Sequence, residues 1–350
     1  MKTVKLGSIP VGDGFPTVFV AETGSFFNKE VDTACKYITA VAKSGADIFK
    51  TEIIHDANIC LANTGTMVSY AHAGGKSTEV YREHVERKQL SLKEYAHIFA
   101  HARSIGIPFL ATVFDYAGID FLKSEGGCAI KISRNNINNV PLIRYAAQSK
   151  LPIIFDEGFI YLDELAFGIR CAREAGCDDI IVNYHPGLNP APADRHNLKV
   201  IETYKTTFGI PIGLACHFRG DEILYTAIGA GVNIIEKGVD DNPDREEADL
   251  VSATPMKDLA AVVANVKACW KALGDPRPQP PEPRDLSSRC CIVAAKPIAA
   301  DTILKTEDLR FAWPPVGIST RDWDCVIGSK TTRAIEKDQP LNWEDIQSLR

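Results

Sequence analysis

The chain has 350 residues, 45% hydrophobic and 24% charged, enough to bury a sizeable core in one large domain or two. A net charge of −6 removes any electrostatic ground for nucleic acid or an anionic membrane as partner, and no apolar run is long enough for a membrane span. MKTVKLGSIPVGDG lacks the apolar core of a signal peptide, and ten scattered cysteines without a CxxC pair read as reduced core thiols, so the expected compartment is cytoplasmic.

In chain order, β-rich runs alternate with helical periodicity. The predicted strands are Val18–Glu22, Ile48–Glu52, Phe109–Phe114, Ala129–Ile132, Pro152–Gly158, Asp179–His185, Pro211–Phe218 and Asn233–Lys237. The predicted helices are Asp32–Ser44, Leu92–Ile105, Val140–Lys150, Leu162–Ala175, Leu198–Phe208, Asp221–Ala230 and Lys257–Leu273. Gly-containing turns such as SGAD, SIGIP, EAGCDD, TFGIP and GAGVN feed the next strand. Repeats of this kind predict an α/β fold, a parallel (β/α)8 barrel rather than an open sheet. Residues 53–90 are long for a βα loop and read as an active-site lid or an insertion.

After residue 275 the composition changes, and five of residues 276–283 are Pro. Residues 276–285 are therefore a stiff linker between a barrel domain, 1–275, and a smaller β-rich domain, 286–350. The tail contains a repeat: KPIAADTILKTEDL (296–309) aligns with RAIEKDQPLNWEDI (333–346). Ile298/Ile335, Asp301/Asp338, Leu304/Leu341 and Glu307-Asp308/Glu344-Asp345 fall in register, so a pseudo-symmetric unit is expected. Its core is marginal by size, which predicts that it docks on another surface.

Candidate chemistry gathers in 209–241, a strand–helix–strand run that brings His217 and Glu236 to the C-terminal ends of neighbouring strands. Read alone, His217 is as well explained as a hydrogen-bonded surface residue. Alternation along the strand points Cys216 away from His217, which argues against a thiol nucleophile.

Several runs together resemble the N-acetylneuraminate (sialic acid) synthase family. They are AETG (21–24), SGADIFK (44–50), LSLKEYAHIFAHARSIGIPFLATVFD (90–115), IKISRNNINNVPLIRYAAQSKLPII (130–154), PAPADRHNLKVIETYKTTFGIPIGLACH (190–217) and GAGVNIIEK (229–237), followed by the repeated tail. The resemblance implies a TIM barrel with a C-terminal antifreeze-like (SAF) domain. It also implies a homodimer whose SAF domain caps the partner's barrel, and a transferase or aldolase-type reaction of carbohydrate biosynthesis. In that reaction phosphoenolpyruvate, or a related three-carbon donor, condenses with an aldehyde sugar to a nonulosonic-acid-type product.

Residue by residue, the resemblance implies donor or substrate binding by Lys50, Glu52, Thr112 and Lys131, with Glu22, Glu236 and Asp249 as the catalytic carboxylates. Other positions depart from the family's pattern. Its two serines are Arg134 and Asp156 here, and its loop carboxylate is Asn136, an amide that positions but cannot act as a base. Arg134 offers a bidentate contact to phosphate, whereas the Asp156 carboxylate repels one. Phe26-Phe27-Asn28 makes a more apolar mouth, and Trp313 stands where a sugar-reaching arginine is implied. A divalent metal, Mn²⁺ or Mg²⁺, is also implied. His217 matches its first ligand but Gly238 replaces the second histidine, which weakens the site; His185 on the adjacent strand, with Glu157 or Asp240, is the alternative set. Three readings follow: a synthase with an altered active site, an aldolase or lyase that does not use phosphoenolpyruvate, and a non-catalytic sugar-binding descendant.

Overall fold

The computed structural model describes residues 2–24, 29–242, 244–278, 280, 282 and 287–348. Phe26, Phe27 and Asn28, read above as part of the mouth, lie outside the described residues. Two compact units divide the chain, Met1–Gly274 and Asp275–Arg350.

The first unit opens with an antiparallel pair, β1 (Val4–Leu6) and β2 (Ile9–Val11). Eight parallel strands follow: β3 (Val18–Gly24), β4 (Ile48–Glu52), β7 (Phe109–Thr112), β8 (Ile130–Ile132), β9 (Ile153–Glu157), β10 (Ile180–Tyr184), β11 (Ile212–Cys216) and β12 (Ile234–Asp240). They pair in sequence order, and the β11–β12 and β12–β3 pairings close the sheet into a TIM barrel. A two-residue strand, β13 (Thr254–Pro255), adds to the end of β12. The five strands from β7 to β11 are one to three residues shorter than predicted, β4 is as predicted, and β3 and β12, which pair with each other, run two residues longer.

Alternation sorts each strand into two layers. Ile48, Leu110, Ile154, Ile181 and Ile234 face the barrel interior, where they meet Val4, Leu6 and Val11 of the N-terminal pair. Phe49, Phe109, Phe155, Val182 and Leu214 face the surrounding helices. The hairpin thus packs on the interior residues at one end of the barrel, and the chemistry lies at the other. Gly45, Gly106, Gly176, Gly209 and Gly231, the glycines of the five helix-ending turns, all have φ between 67° and 90°, a region costly for any residue bearing a Cβ.

The helices are α1 (Val31–Ser44), α3 (Leu92–Ser104), α4 (Tyr116–Ser124), α5 (Val140–Gln148), α6 (Leu162–Glu174), α7 (Val200–Phe208), α8 (Glu222–Gly229) and α9 (Leu259–Leu273). Helix α4 was not expected, since it is short and contains Gly118. Asp115 caps it by accepting the Gly118 N–H at 2.7 Å, and Ile119 and Leu122 bury its inner face. The long segment 53–90 is an insertion with structure of its own: β5 (Met67–His72) and β6 (Gly75–Val80) form an antiparallel hairpin, followed by α2 (Tyr81–Glu86). Among the described residues no helix is long and apolar enough to cross a membrane.

The second unit is a small SAF fold with β14 (Cys291–Ala294) paired to β15 (Leu309–Ala312) and β16 (Lys330–Thr331) paired to β17 (Ile346–Gln347); a short helix, α10 (Trp323–Val326), lies between them. The repeat is visible atom by atom. Ile298 and Ile335 exchange backbone hydrogen bonds of 2.9 Å across the pseudo-axis. Asp301 and Asp338 both adopt φ above 60°, and Asp308 and Asp345 cap equivalent turns by accepting from Lys305 N and Asn342 N. Ile298, Leu304, Ile335 and Leu341 are buried in a core belonging to this unit.

Candidate active site

The C-terminal ends of the barrel strands surround a cavity of about 560 Å³. Its floor is a cluster of buried charges. Lys50 pairs with Glu22 on the next strand and lies 3.4 Å from Glu236 Oε1. Lys131 donates to the same Glu236 oxygen at 2.6 Å and sits 2.8 Å from Asp156 Oδ1. Asn183 donates to Glu236 Oε2 at 2.9 Å. Asn183 has room only because residue 213 is glycine, since a Cβ there would stand 2.2 Å from Asn183 Oδ1. The floor therefore holds two lysines against three carboxylates, tied to one another through Glu236.

These contacts decide who carries a proton. Burial pushes the Glu22 carboxyl up to about 7; Lys50 offsets only part of that desolvation, and Glu236 adds repulsion. Burial also opposes ionisation of Glu236, but Lys131 and Lys50 outweigh it and hold the group below the usual carboxylate range. For the lysines, burial disfavours the charge and the neighbouring carboxylates more than restore it, Asp156 and Glu236 for Lys131, Glu22 and Glu236 for Lys50. Both remain ammonium ions.

Above the floor stand two imidazoles. His185 and His217, at the ends of adjacent strands, meet edge to face with ring centroids 4.2 Å apart. Burial lowers the pKa of both, and for His185 the nearby His217 and Lys131 lower it further, so both rings are neutral near pH 7. His217 Nδ1 is buried without a hydrogen-bond partner. Asp249, on the loop after β12 with φ of 67°, accepts from Asn189 Nδ2 at 2.7 Å. It reaches solvent through the mouth; the enclosing walls oppose its charge, but His217 and Lys88 keep its carboxyl below the usual range.

Glu52 and Thr112 line the cavity wall, and Arg134 lies at its mouth with the guanidinium 5.7 Å from the Phe159 ring centroid. Asn136 does not reach this cavity. It lines an adjoining recess with Asn135, Asn139, Tyr81 and Phe114, and its carbonyl accepts from Asn139 at 2.9 Å. Trp313 belongs to the second unit, where it is 76% exposed. Cys216, in the strand beside His217, is buried in the helical layer as alternation requires, 4.0 Å from His196 Nε2.

The alternative metal set does not assemble. Glu157 follows the parity of Phe155 and turns into the helical layer, where its partner is Tyr204 of α7. His185 Nδ1 accepts the Gly187 N–H at 2.7 Å, so the neutral ring carries its proton on Nε2 and has no lone pair left for a cation. Asp240 is held by Tyr37 at 3.2 Å and Arg245 at 2.6 Å. Among the described residues no three His, Cys, Asp or Glu side chains converge as a metal cage. The donor set present does not fit the divalent metal expected from the sequence.

Two groups of site residues were not foreseen. Asn183 was legible in principle, because it is the one polar residue of the apolar strand IIVNY and has inward parity. The hairpin residues Val68, Ser69, Tyr70, Ala71 and Lys76 wall the cavity, a role that depends on how the insertion folds back and leaves no local signal.

Comparison with known proteins agrees with this architecture. The NeuB family model matches residues 37–277 and the SAF domain model residues 289–347. An uncharacterized protein of Methanocaldococcus jannaschii is 28% identical over 99% of both chains. The N,N'-diacetyllegionaminic acid synthase of Campylobacter jejuni is 26% identical, covering 92% of this chain and 98% of the relative. Among solved structures, the N-acetylneuraminic acid synthetase of Leptospira borgpetersenii superposes with a TM-score of 0.72 at 23% identity, covering 81% of this chain and 94% of that one. With a family model matching residues 37–277, well over half of the chain, the chain belongs to the NeuB family.

Proposed function

We propose that this protein is a carbon–carbon bond-forming synthase that joins a three-carbon enol donor, phosphoenolpyruvate or a close relative, to an aldehyde sugar, giving a nonulosonic-acid-type product. The observation that carries the reading is the floor, where Lys50, Lys131, Glu22 and Glu236 converge at the strand ends of a NeuB-family barrel. Relatives named as diacetyllegionaminic and pseudaminic acid synthases support the same class of reaction.

On this reading the C3 carbon of the enol attacks the aldehyde carbon, whose oxygen takes up a proton. Water adds at C2 of the donor and inorganic phosphate leaves. Lys50 holds the donor's carboxylate and Lys131 meets its phosphate, with Arg134 at the mouth as a further phosphate contact. Glu22, titrating near 7, is poised to move protons at neutral pH, while Glu236 orients the lysines. His217 faces the acceptor carbonyl, and Asp249 with Asn189 takes the acceptor's hydroxyls. No step is routed through a metal, because the donors above do not form a site for one. A homodimer with the SAF domain capping the partner's barrel belongs to the same proposal, and a monomer by gel filtration would overturn that part.

Calorimetric titration of phosphoenolpyruvate, alone and with Mn²⁺ or Mg²⁺, followed by a screen of aldehyde sugars for product, tests the reaction. Binding that Lys131→Ala abolishes, with a condensed product, supports it. Silence throughout favours the second reading, an aldolase or lyase without phosphoenolpyruvate, which the carboxylate of Asp156 against Lys131 already favours.

A further inference from the structure

The two lysines of the floor are the buried cations that a phosphate entering the cavity would meet, and neither is free. Lys131 has Glu236 on one side at 2.6 Å and Asp156 on the other at 2.8 Å. Lys50 is shared between Glu22 and Glu236. With three carboxylates to two ammonium groups, the floor already has an excess of negative charge, and a phosphate placed there meets repulsion from Glu22, Asp156 and Glu236. Asp156 is 8% exposed and sits on a paired strand, opposite Asn183 in the β9–β10 register, so it is a built part of the wall rather than a passing rotamer. Among the described residues the cavity-lining cations without a carboxylate partner, Arg134 and Lys76, are at the mouth and on the hairpin.

We infer that Asp156 is the donor-specificity residue of this site, a carboxylate that competes with the donor's phosphate for Lys131 and so selects against phosphorylated donors bound at the floor. The inference rests on the proposed reading in taking Lys131 as a donor-binding group. Its signature is selective: neutralising Asp156 strengthens binding of a phosphorylated three-carbon acid and leaves the unphosphorylated acid nearly unchanged, an effect that a merely structural role would not produce.

The test is calorimetric titration of phosphoenolpyruvate, inorganic phosphate and pyruvate into the full-length wild type, D156S and D156N. The isosteric D156N keeps the experiment readable if D156S folds poorly, and a cooperative melt checks each variant. Removing one like charge beside the phosphate predicts tightening of roughly tenfold or more for phosphoenolpyruvate and phosphate, with pyruvate within about threefold. Unchanged or weaker phosphoenolpyruvate binding by a folded D156N overturns the inference, as does equal tightening for pyruvate. Product formed from phosphoenolpyruvate by a wild type whose affinity D156N does not alter keeps the proposed reaction and sinks the inference alone. Binding by D156N where the wild type is silent supports the inference and removes phosphoenolpyruvate as the natural donor.

Discussion

Replacing Lys131 by Met is the sharpest probe of the floor. Lys131 is 5% exposed and is the cation standing between Asp156 and Glu236. Methionine fills most of its volume, so the change removes charge and hydrogen bonds with little cavity formation. Two carboxylates then lose their shared cation; Glu236 keeps Lys50 at 3.4 Å and Asn183 at 2.9 Å, but Asp156 keeps no cation in contact. Breaking a buried ion pair from one side costs about 3–5 kcal/mol. For a unit of this size that lowers the melting temperature by about 6–12 °C. Calorimetry is the assay, because two compact units can melt separately and only the barrel's transition is expected to move. The double variant K131M/D156N removes the stranded charge and should recover about 1–3 kcal/mol of the loss. A barrel transition unmoved in K131M, or a double variant no more stable than K131M, would refute the picture of a charge-coupled floor.

Other outcomes follow from the same geometry. Glu157 has an unpartnered oxygen, and burial lifts its carboxyl from the ordinary 4.5 to about 7, although the Tyr204 hydrogen bond works the other way. A folded-state value above the unfolded one means that this group's contribution to stability is fully present below pH 4.5 and lost as pH rises through 7. Glu157→Gln should therefore gain about 1–3 kcal/mol at pH 8 and nearly nothing at pH 4, read from urea midpoints. Dialysis against a chelator should leave the melting temperature unchanged, and Mn²⁺ at about 0.1 mM should not raise it, since a bound metal stabilises by mass action; a rise that His217→Ala removes would reinstate a metal site. Replacing Met67–Val80 by a short Gly-Ser turn should leave the barrel folded while raising KM for the acceptor, because that hairpin supplies one wall of the cavity.

The fold was largely legible because its signals are local. Apolar runs, helical spacing and a glycine after most of the barrel helices recur along the chain, and each repeat reports the same unit. What escaped was structure without a repeat. Helix α4 hid behind Gly118 and depends on the Asp115 cap, and the hairpin of residues 67–80 is half-exposed and mixes polar with apolar residues, so its hydrophobic pattern is weak. Site residues on strands were readable from their positions. Asn136 and the hairpin residues were not, since loops place side chains by tertiary contact.

The metal set read from the sequence fails for a reason that applies to strand ends generally. Asp156 and Glu157 are neighbours in sequence, and both are carboxylates at the end of one strand, yet they belong to different environments. Asp156 enters the cavity and meets Lys131, whereas Glu157 enters the helical layer and meets Tyr204. The same parity separates His217 from Cys216 and Glu236 from Lys237, whose ammonium donates to the Phe218 and Gly220 carbonyls away from the floor. A metal set drawn from His185, His217 and Glu157 mixes the two parities: the histidines meet in the cavity, and Glu157 turns away from it. Counting by twos from an interior residue such as Ile154 excludes Glu157 and retains Asp156 on strand periodicity alone. The same count leaves four inward carboxylates, Glu22, Glu52, Asp156 and Glu236, for two inward lysines, and it is that imbalance, more than any single substitution, that distinguishes the chemistry this cavity can accept.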